Sequence, residues 1–425
     1  MTAFSPYHQS EIRSAKNVAV IGGGVIGSCI AQQLQNAGCK VTLIDAKGIA
    51  QGCSKGNAGH FATEQVFPLA ELSLIPKLPK MLLDPLGPFR VKPTYLFKAM
   101  PWFLRFMANM TRHRFRKHTD ALKKLNEKAL DAFEDIFEQT NTQGLIVKQG
   151  SLLTFESTTI KKIESILRAY KREDIDVELL NREQTLQLEP NLSEKVTHSL
   201  WFKSVGHTLN PEFFVQSIVK KALTEGMAYI KDEVLKIIPK SERVELIFKS
   251  KSLRFDNVVV ASGVWSKPLL RELGYKVPLE AERGYHLMLP QQTCLSRPVA
   301  SYERKFIMTP MREGLRLAGT VEFAGVNGAV NERRALVLKP HADALISKPL
   351  SNNNARTWMG SRPSLPDSLP VIGRSERFDN LFFAFGHQHL GLTQAGITAK
   401  LIKQLITNET PEIDLQPFAI ERFNQ

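Results

Sequence analysis

The sequence predicts a mixed α/β protein that begins with one βαβ unit of a parallel sheet. An apolar run at residues 18–21 leads directly into a glycine-rich turn at 22–27. Small and apolar residues then continue at helical length to Gly38, and a second apolar run at 41–44 ends on Asp45. A third buried run at 258–260 breaks into small residues and would return the chain beside this unit. The order of these elements indicates that the domains are discontinuous.

The glycines of the first turn have the spacing that a dinucleotide site requires. Gly22 permits a tight turn, Gly24 leaves the backbone open to a pyrophosphate, and Gly27 lets helix and strand pack closely. The positive end of the helix, at Val25 and Ile26, then faces the phosphates. This turn therefore predicts that a dinucleotide binds here.

A carboxylate ends the second strand at Asp45, followed by Ala46. In this position an acidic side chain can accept hydrogen bonds from both ribose hydroxyls, and it disfavours a 2′-phosphate. A glycine-rich loop without function is the alternative interpretation. The strand, the helix and the acid in register favour a dinucleotide.

Length and charge limit the classes of protein and partner. A chain of 425 residues is long enough for two or three domains. Lys and Arg total 56 against 42 Asp and Glu, so the formal charge of +14 suits nucleic acid or an anionic membrane surface. No nucleic-acid recognition motif is present and the charge is local, so no nucleic-acid partner is predicted.

The cysteines and the N-terminal residues indicate the cell compartment. The four cysteines form no C-x-x-C pair and no metal-type spacing with histidine, so neither a metal site nor a disulfide framework is predicted. The first 16 residues lack an apolar signal core, and no run of about 18 apolar residues occurs. These features predict a cytoplasmic protein that is not membrane-spanning.

A basic stretch contains no acidic residue between positions 85 and 119. It combines Trp, Phe, Leu and Met residues with eight lysines and arginines. One interpretation is an interfacial helix, at residues 86–118, that lies on the surface of an anionic membrane. The other is a core helix with a solvated basic end. The sequence leaves both interpretations open.

Two further segments are rich in small residues and suit a flat ligand. Residues 48–60 are too rich in Gly, Ser and Ala for a helix or strand. The run at 258–263 ends in Ala261, Ser262 and Gly263, with Trp265 close behind. Small residues in succession let such a ligand lie against the backbone.

The C-terminal part contains two distinctive segments. Residues 360–373 include Arg362 in a Gly-Ser-Arg-Pro sequence. Residues 380–396 read as a strand, a glycine turn and a helix, with His387 and His389 in the turn. By itself, Arg362 is better explained by a surface ion pair.

These segments together resemble the FAD-dependent D-amino-acid oxidase superfamily, which includes glycine oxidase, sarcosine oxidase and bacterial D-amino-acid dehydrogenases. The dehydrogenase branch is the most similar, and the motifs occur in the family's order along nearly the whole chain. The resemblance implies a Rossmann-like FAD-binding domain and a second substrate domain with an antiparallel sheet. It places the FAD-binding domain at residues 16–80, 195–275 and 355–425, and the substrate domain at 81–194 and 276–354.

The resemblance also assigns roles to residues. Arg362 would bind the substrate carboxylate, since a guanidinium donates two parallel hydrogen bonds to it. Tyr285 or His286 could contact the substrate amine, although a core tyrosine with a satisfied hydroxyl is the better explanation of either residue alone. The helix start near Gly391 would direct its positive end at the flavin pyrimidine ring. The predicted FAD-binding residues are Gly22, Gly24, Val25, Ile26, Gly27, Asp45, Ala46, Ser54, Asn57, Ala58, Gly59, Ala261, Gly263, Trp265, Gly386, His387, His389, Leu390, Gly391, Leu392 and Thr393.

FAD is expected to be noncovalent, because the last cysteine, Cys294, precedes the Arg362 segment, whereas the sarcosine-oxidising branch uses a later cysteine. The implied reaction is oxidative deamination of a D-amino acid, with D-proline or hydroxy-D-proline among the candidates. The expected electron acceptor is a quinone or another acceptor reached at the inner face of the membrane. The alternatives are a glycine or N-methyl amino acid oxidase that uses oxygen, and an electron-relay subunit of a larger complex.

Overall fold

The computed structural model describes residues 15–72, 84 and 86–423. Parts of the predicted domains fall at residues 73–83, 85 and 424–425, which lie outside the described residues. The predicted membrane-surface segment at 86–118 lies within them.

The strands are short, and most of them pair with partners distant in sequence. In chain order they are β1 (Asn17–Ile21), β2 (Lys40–Ile44), β3 (His60–Phe61), β4 (Phe89–Val91), β5 (Ile146–Val147), β6 (Ser151–Phe155), β7 (Val177–Asn181), β8 (His198–Phe202), β9 (Gly206–Thr208), β10 (Ala228–Ile230), β11 (Lys236–Pro239), β12 (Val244–Ile247), β13 (Ser252–Phe255), β14 (Asn257–Val260), β15 (Glu280–Pro290), β16 (Val299–Ser301), β17 (Phe306–Met311), β18 (Gly314–Phe323), β19 (Arg356–Ser364), β20 (Val371–Arg374) and β21 (Leu381–Phe385).

The α-helices vary from one turn to nearly five. They are α1 (Val25–Asn36), α2 (Leu96–Ala108), α3 (Arg112–Glu127), α4 (Asp131–Thr140), α5 (Ile160–Arg172), α6 (Arg182–Leu188), α7 (Pro211–Thr224), α8 (Ser266–Glu272), α9 (Arg333–Leu336), α10 (Leu338–Asp343) and α11 (Gly391–Thr407).

Among the described residues, six strands form a sheet in the order β10-β2-β1-β14-β21-β20. All of its neighbours are parallel except β20, which pairs antiparallel with β21. The apolar runs that the sequence shows at residues 18–21, 41–44 and 258–260 are three adjacent strands of this sheet. Helices α1, α7 and α11 pack together against it, and the small residues of α1 allow this close packing.

A second sheet of nine strands lies beside the first, counted within the same described ranges. Its order is β19-β15-β18-β17-β16-β6-β8-β7, with β4 parallel to β18. Apart from this pair and the parallel pair of β6 and β16, its neighbours are antiparallel. The prediction of a mixed α/β protein with a second, largely antiparallel sheet is confirmed.

Two strands join a sheet other than the one implied by the predicted domain ranges. Strands β8 and β19 fall in segments assigned to FAD binding, yet both belong to the nine-stranded sheet. The alternation of apolar residues identifies a strand but not its partner, so these positions could not be assigned from the pattern. The division into two discontinuous domains stays a proposal. Its boundaries are changed so that β8 and β19 belong with the nine-stranded sheet.

The basic stretch forms α2 and the start of α3. One face of α2 packs on the nine-stranded sheet, where Trp102 contacts Phe323. None of the helices in the described ranges combines the length and apolar character needed to cross a bilayer.

Candidate active site

A cleft of about 2480 Å³ lies where the two large sheets meet. Its wall includes the turn after β1, the end of β2 and the loop that follows it. Strands β18 and β19 and the start of α11 line the other parts. Because the sheets contribute different surfaces to one cavity, a ligand bound there would contact both.

The glycine turn at one end of the cleft is packed too closely for side chains. Gly22 has a φ of +119°, and a Cβ there would lie 2.4 Å from the carbonyl oxygen of Ala261. A Cβ on Gly27 would lie 1.9 Å from the carbonyl oxygen of Gly22. Gly27 thus brings α1 against the end of β1, and Gly22 and Gly24 line the cleft.

The N-terminus of α1 faces the same space. Val25 donates its backbone N–H to Ser54 Oγ at 2.9 Å, and the N-cap residue Gly24 has no side chain that could cap the helix. Val25, Ile26 and Ser54 line the cleft. Exposed N–H groups and the positive helix end at this point fit a pyrophosphate.

Asp45 lies at the end of β2, in the wall of the cleft. Its Oδ2 accepts the N–H of Gly23 at 2.7 Å, while Oδ1 accepts those of Lys47 and Gly48, both at 2.8 Å. The carboxylate therefore holds the glycine turn in place as well as facing the cleft next to Ala46. Its predicted role toward the ribose stays a prediction.

The small-residue loop after β2 is fixed by the nine-stranded sheet. His286 Nδ1 lies 2.9 Å from the carbonyl oxygen of Gly56, and Arg316 donates Nη1 to that of Asn57. Asn57 and Ala58 line the cleft, and the Asn57 side chain accepts the N–H of Gly59 at 2.7 Å. The loop is thus held open between the two sheets by hydrogen bonds to its carbonyl groups.

The strand and turn at 257–265 form the adjoining wall. Ala261, Gly263 and Trp265 line the cleft, as the sequence predicts. The Lys47 ammonium lies 4.6 Å from the centre of the Trp265 ring. This cation–π contact closes the end of the cleft near Asp45.

The C-terminal segment forms the predicted strand, glycine turn and helix. Gly386 has a φ of +85° at the end of β21, and Gly391 and Leu392 begin α11 at the cleft. Thr393 is buried and its hydroxyl accepts the N–H of Ala62 at 2.9 Å, while Leu390 packs in the core. The positive end of a helix of 17 residues therefore points into the cleft.

Both histidines of this turn are neutral near pH 7. Burial lowers the pKa of His387 to about 3, and its Nε2 lies 3.0 Å from Thr398 Oγ1. Burial also lowers the pKa of His389 to about 4. Both line the cleft, so they contribute polar but uncharged surface beside the helix start.

Arg362 lies on β19 in the wall of the cleft. Its Nη1 donates to Glu282 Oε1 on β15 at 3.1 Å, and the side chain is 26% exposed. The guanidinium crosses the backbone of Gly284, where a Cβ would come within 2.4 Å of it. The ion pair that the sequence left as an alternative is therefore present, but it faces the cleft rather than the outer surface.

The two residues that follow Gly284 face opposite sides of β15. Tyr285 is fully buried on the side away from the cleft, and its hydroxyl donates to Glu322 Oε2 at 2.6 Å. The structure does not bring Tyr285 to Arg362, because alternate residues of a strand point to opposite faces. The interpretation as a core tyrosine with a satisfied hydroxyl describes its position.

His286 shares the face of Glu282 but lies beneath an aromatic ring. It stacks on Trp358, with ring centres 5.0 Å apart, and burial lowers its pKa to about 3. It does not line the cleft. The neutral ring packs against Trp358 and the loop at Gly56. This position does not favour the predicted contact of His286 with a substrate amine, which stays a prediction.

Three residues near Arg362 were not among the site residues predicted from the sequence. Glu282 and Trp358 line the cleft, and Cys53 donates its thiol to the carbonyl oxygen of Ser361 at 2.6 Å. Burial raises the pKa of Cys53 to about 12, so it remains a thiol. Side chains alternate along a strand, so Glu282 shares a face with Gly284 on β15 and Trp358 shares a face with Arg362 on β19. This signal could have identified both residues if the pairing of the two strands had been known.

The family comparison supports an FAD in this cleft. The family model described as "FAD dependent oxidoreductase" (DAO) matches residues 17–405. A D-amino-acid oxidase of Bradyrhizobium diazoefficiens is 32% identical over 416 residues, which cover 96% of this chain and 99% of that protein. The D-amino acid dehydrogenase 1 of Mesorhizobium japonicum is 28% identical over 418 residues, with the same coverage of both chains.

Solved structures show the same fold. Glycine oxidase from Geobacillus kaustophilus superposes with a TM-score of 0.73 at 20% identity, over 96% of this chain and 99% of its own. L-proline dehydrogenase from P. horikoshii also reaches 0.73, at 17% identity, over 96% and 98%. The predicted resemblance and the FAD cofactor are confirmed, and the enzyme class is that of an oxidoreductase. The chain belongs to the D-amino-acid oxidase family of FAD-dependent oxidoreductases.

Proposed function

We propose that this protein oxidises the amine of a D-amino acid to the imino acid, which water converts to a 2-oxo acid and ammonia. The observation that carries the proposal is Arg362, a guanidinium in the wall of the FAD cleft. FAD supplies a site at N5 that accepts a hydride from the α-carbon. The protein then has to bind, orient and shield the substrate.

The described residues suit these tasks. Arg362 can donate parallel hydrogen bonds to the substrate carboxylate and stays charged when desolvated. The N-terminus of α11 directs positive potential at the part of the cleft where negative charge gathers on reduction. Trp358 and the buried rings of Trp102 and Phe323 line the cleft and give it apolar surface. Bound substrate is thereby held in one orientation, which lowers the entropic part of the barrier.

The D configuration is supported by the names of the relatives, a D-amino-acid oxidase and several D-amino acid dehydrogenases. Cyclic substrates such as D-proline or hydroxy-D-proline remain among the candidates. We propose a quinone or similar acceptor, in line with the dehydrogenase relatives. The Bradyrhizobium relative is named an oxidase, and this favours oxygen as the second candidate, including the glycine or N-methyl amino acid oxidase alternative.

Anaerobic reduction of the bound flavin by a panel of free D- and L-amino acids tests this function. We expect one or more D-amino acids to bleach the flavin absorbance, and their L forms to be inactive. Reoxidation by air compared with a soluble quinone then identifies the acceptor. If no amine in the panel reduces the flavin, the proposal is wrong and the electron-relay alternative is favoured.

Substitution of Arg362 tests the residue that carries the proposal. We expect Arg362→Ala to lower kcat/KM by roughly 100- to 1,000-fold, because a charge-assisted pair of hydrogen bonds to the substrate is lost. The matched control is Arg356→Ala on the same strand, where the arginine pairs with Glu313 and is exposed. An unchanged kcat/KM in Arg362→Ala would contradict the carboxylate role.

We also propose that α2 contacts the cytoplasmic face of an anionic membrane. Four apolar side chains at helical spacing are exposed on its outer face: Phe97 (87%), Met100 (38%), Leu104 (57%) and Met107 (45%). Lys98 and Arg105 are exposed on the same helix, and Met100 and Met107 also line the cleft. The face of α2 that packs on the nine-stranded sheet fits the core-helix interpretation, and the exposed apolar side chains support the proposed membrane contact.

Vesicle binding tests this contact. We expect the holoenzyme to bind anionic vesicles at low salt and to release as salt rises. Phe97→Ser should weaken binding about tenfold, since a phenyl ring no longer enters the interface. Leu223→Ser, on the exposed side of α7, is the control. Equal binding by both variants, or none by the unmodified enzyme, would disprove the contact.

A further inference from the structure

Strands β15 and β19 present a charged pair on one face. In the antiparallel register, Glu282 lies opposite Arg362 and Gly284 lies opposite Gly360. Residues at positions 282 and 284 share a face because side chains alternate along a strand. The Arg362 guanidinium lies over the backbone of Gly284 and the Trp358 ring lies over that of Gly360, where an added Cβ would come within 2.4 Å and 2.1 Å of them. The two glycines thus make room for these side chains beside the charged pair.

The two charges differ in how far they are buried. The Glu282 side chain is 6% exposed and that of Arg362 is 26% exposed, and both line the cleft. Glu282 Oε2 accepts the Ser364 hydroxyl at 3.1 Å, while Oε1 accepts Arg362. In the described part of the chain, the Arg362 guanidinium donates to Glu282 alone, so its other N–H groups are available to a ligand.

An α-amino acid carries the complementary charges on one carbon, a carboxylate and an ammonium. We propose that Glu282 binds the substrate amine while Arg362 binds the carboxylate, so that the pair recognises a zwitterion. This inference rests on the proposed function and adds a second substrate-binding residue to it. The closeness of a cross-strand pair matches the closeness of the two charged groups of the ligand.

Charge balance supports this assignment. The Arg362–Glu282 pair is neutral overall, and a bound zwitterion keeps it neutral. A ligand with only a carboxylate would engage Arg362 and leave Glu282 as a buried anion without a full partner, which is unfavourable. The site should therefore discriminate against simple carboxylic acids in favour of amino acids.

A purely structural role for Glu282 makes the opposite prediction. If Glu282 served only to hold Arg362 in place, its loss would weaken every carboxylate ligand in parallel. If it binds the amine, its loss would weaken amino acids but relieve the repulsion of simple carboxylates. Binding of a carboxylate without an amine therefore separates the two roles.

The experiment compares D-alanine with benzoate in the holoenzyme and in Glu282→Gln. KM for D-alanine is measured by turnover, and Kd for benzoate by its perturbation of the flavin absorbance. We expect KM for D-alanine to rise about tenfold and Kd for benzoate to fall by about twofold or more. Glu280→Gln is the matched control, because Glu280 lies on the same strand, accepts the Tyr95 hydroxyl and does not line the cleft.

Three outcomes would overturn the inference. The first is an unchanged KM for D-alanine, and the second is a Kd for benzoate that rises in parallel with that KM. The third is a rise in KM confined to D-lysine or D-arginine, which would place Glu282 at the substrate side chain. Should Glu282→Gln not retain FAD, Glu282→Asp keeps the charge, and we expect it to preserve the preference for D-alanine over benzoate. Failure of the proposed function is distinct, since no amino acid would then reduce the unmodified enzyme.

Discussion

On the six-stranded side of the cleft, the glycine turn is formed by residues that follow each other closely along the chain, from Gly22 to Ile26. On the nine-stranded side, Glu282 and Arg362 are 80 positions apart and meet through strand pairing. The first region depends on backbone packing within a single turn. The second depends on the register of β15 and β19. This difference teaches that a glycine turn predicted to bind the cofactor is encoded in a local motif, whereas the pair proposed to bind the substrate is assembled from distant strands.

The largest effect should come from breaking the local region. Gly27→Ala places a methyl group within 1.9 Å of the Gly22 carbonyl oxygen, so α1 has to move away from β1. We expect loss of bound FAD and a destabilisation of about 1–3 kcal/mol or more. FAD content and Tm measure both effects.

Gly24→Ala is the informative companion, because within the described part of the chain its Cβ would meet Ser54 Oγ alone, at 3.3 Å. It should weaken FAD with a smaller change in Tm. Gly144→Ala, where a Cβ would meet nothing within 4 Å, is the neutral control. Full FAD content in Gly27→Ala would show that the turn tolerates displacement and would remove the contrast between the two regions.

Breaking the assembled region should have a narrower effect. Gly284→Ala would push against the Arg362 guanidinium, whose carbon lies 2.4 Å from the added Cβ. We expect roughly 10- to 100-fold lower kcat/KM, because the carboxylate site shifts relative to the flavin. FAD content should stay normal. A loss of FAD equal to that of Gly27→Ala would mean that the two regions are not separable.

A smaller effect is expected at a buried carboxylate after β3, a strand that pairs with β9. Glu64 follows β3, lines the cleft and is 3% exposed, and burial raises its pKa to about 7. The pKa of an unfolded glutamate is about 4.3, so the folded protein retains a proton that the unfolded chain has released. The stability that this proton confers is present below about pH 4 and is lost as pH rises through 7.

Glu64→Gln should therefore match the unmodified holoenzyme in Tm at low pH and exceed it at pH 8 by roughly 2–4 °C. Thermal unfolding across this pH range is the measurement. Glu71→Gln, which alters an exposed carboxylate nearby, is the control. Identical pH profiles for Glu64→Gln and the unmodified enzyme would contradict the burial of a titrating group here.

Much of the site could be predicted because its elements carry their own signals. The turn at Gly22, the loop at Ser54, the strand before Gly263 and the helix start at Gly391 all line the cleft at the predicted positions. Each requires small residues or a turn next to an apolar run, and such patterns are visible in one dimension. The predicted carboxylate-binding role of Arg362 rests on the resemblance, since an arginine alone does not identify its partner.

What the sequence by itself determined is the parallel sheet with its glycine turn and the class of cofactor, because backbone sterics and apolar periodicity act between neighbours in the chain. Only the tertiary structure decided that Glu282 faces Arg362, that Tyr285 turns away from the cleft and that α2 exposes an apolar face beside it. Strand register and helix packing are set by contacts between residues far apart in sequence, and a one-residue shift in register reverses which side chains face the cleft.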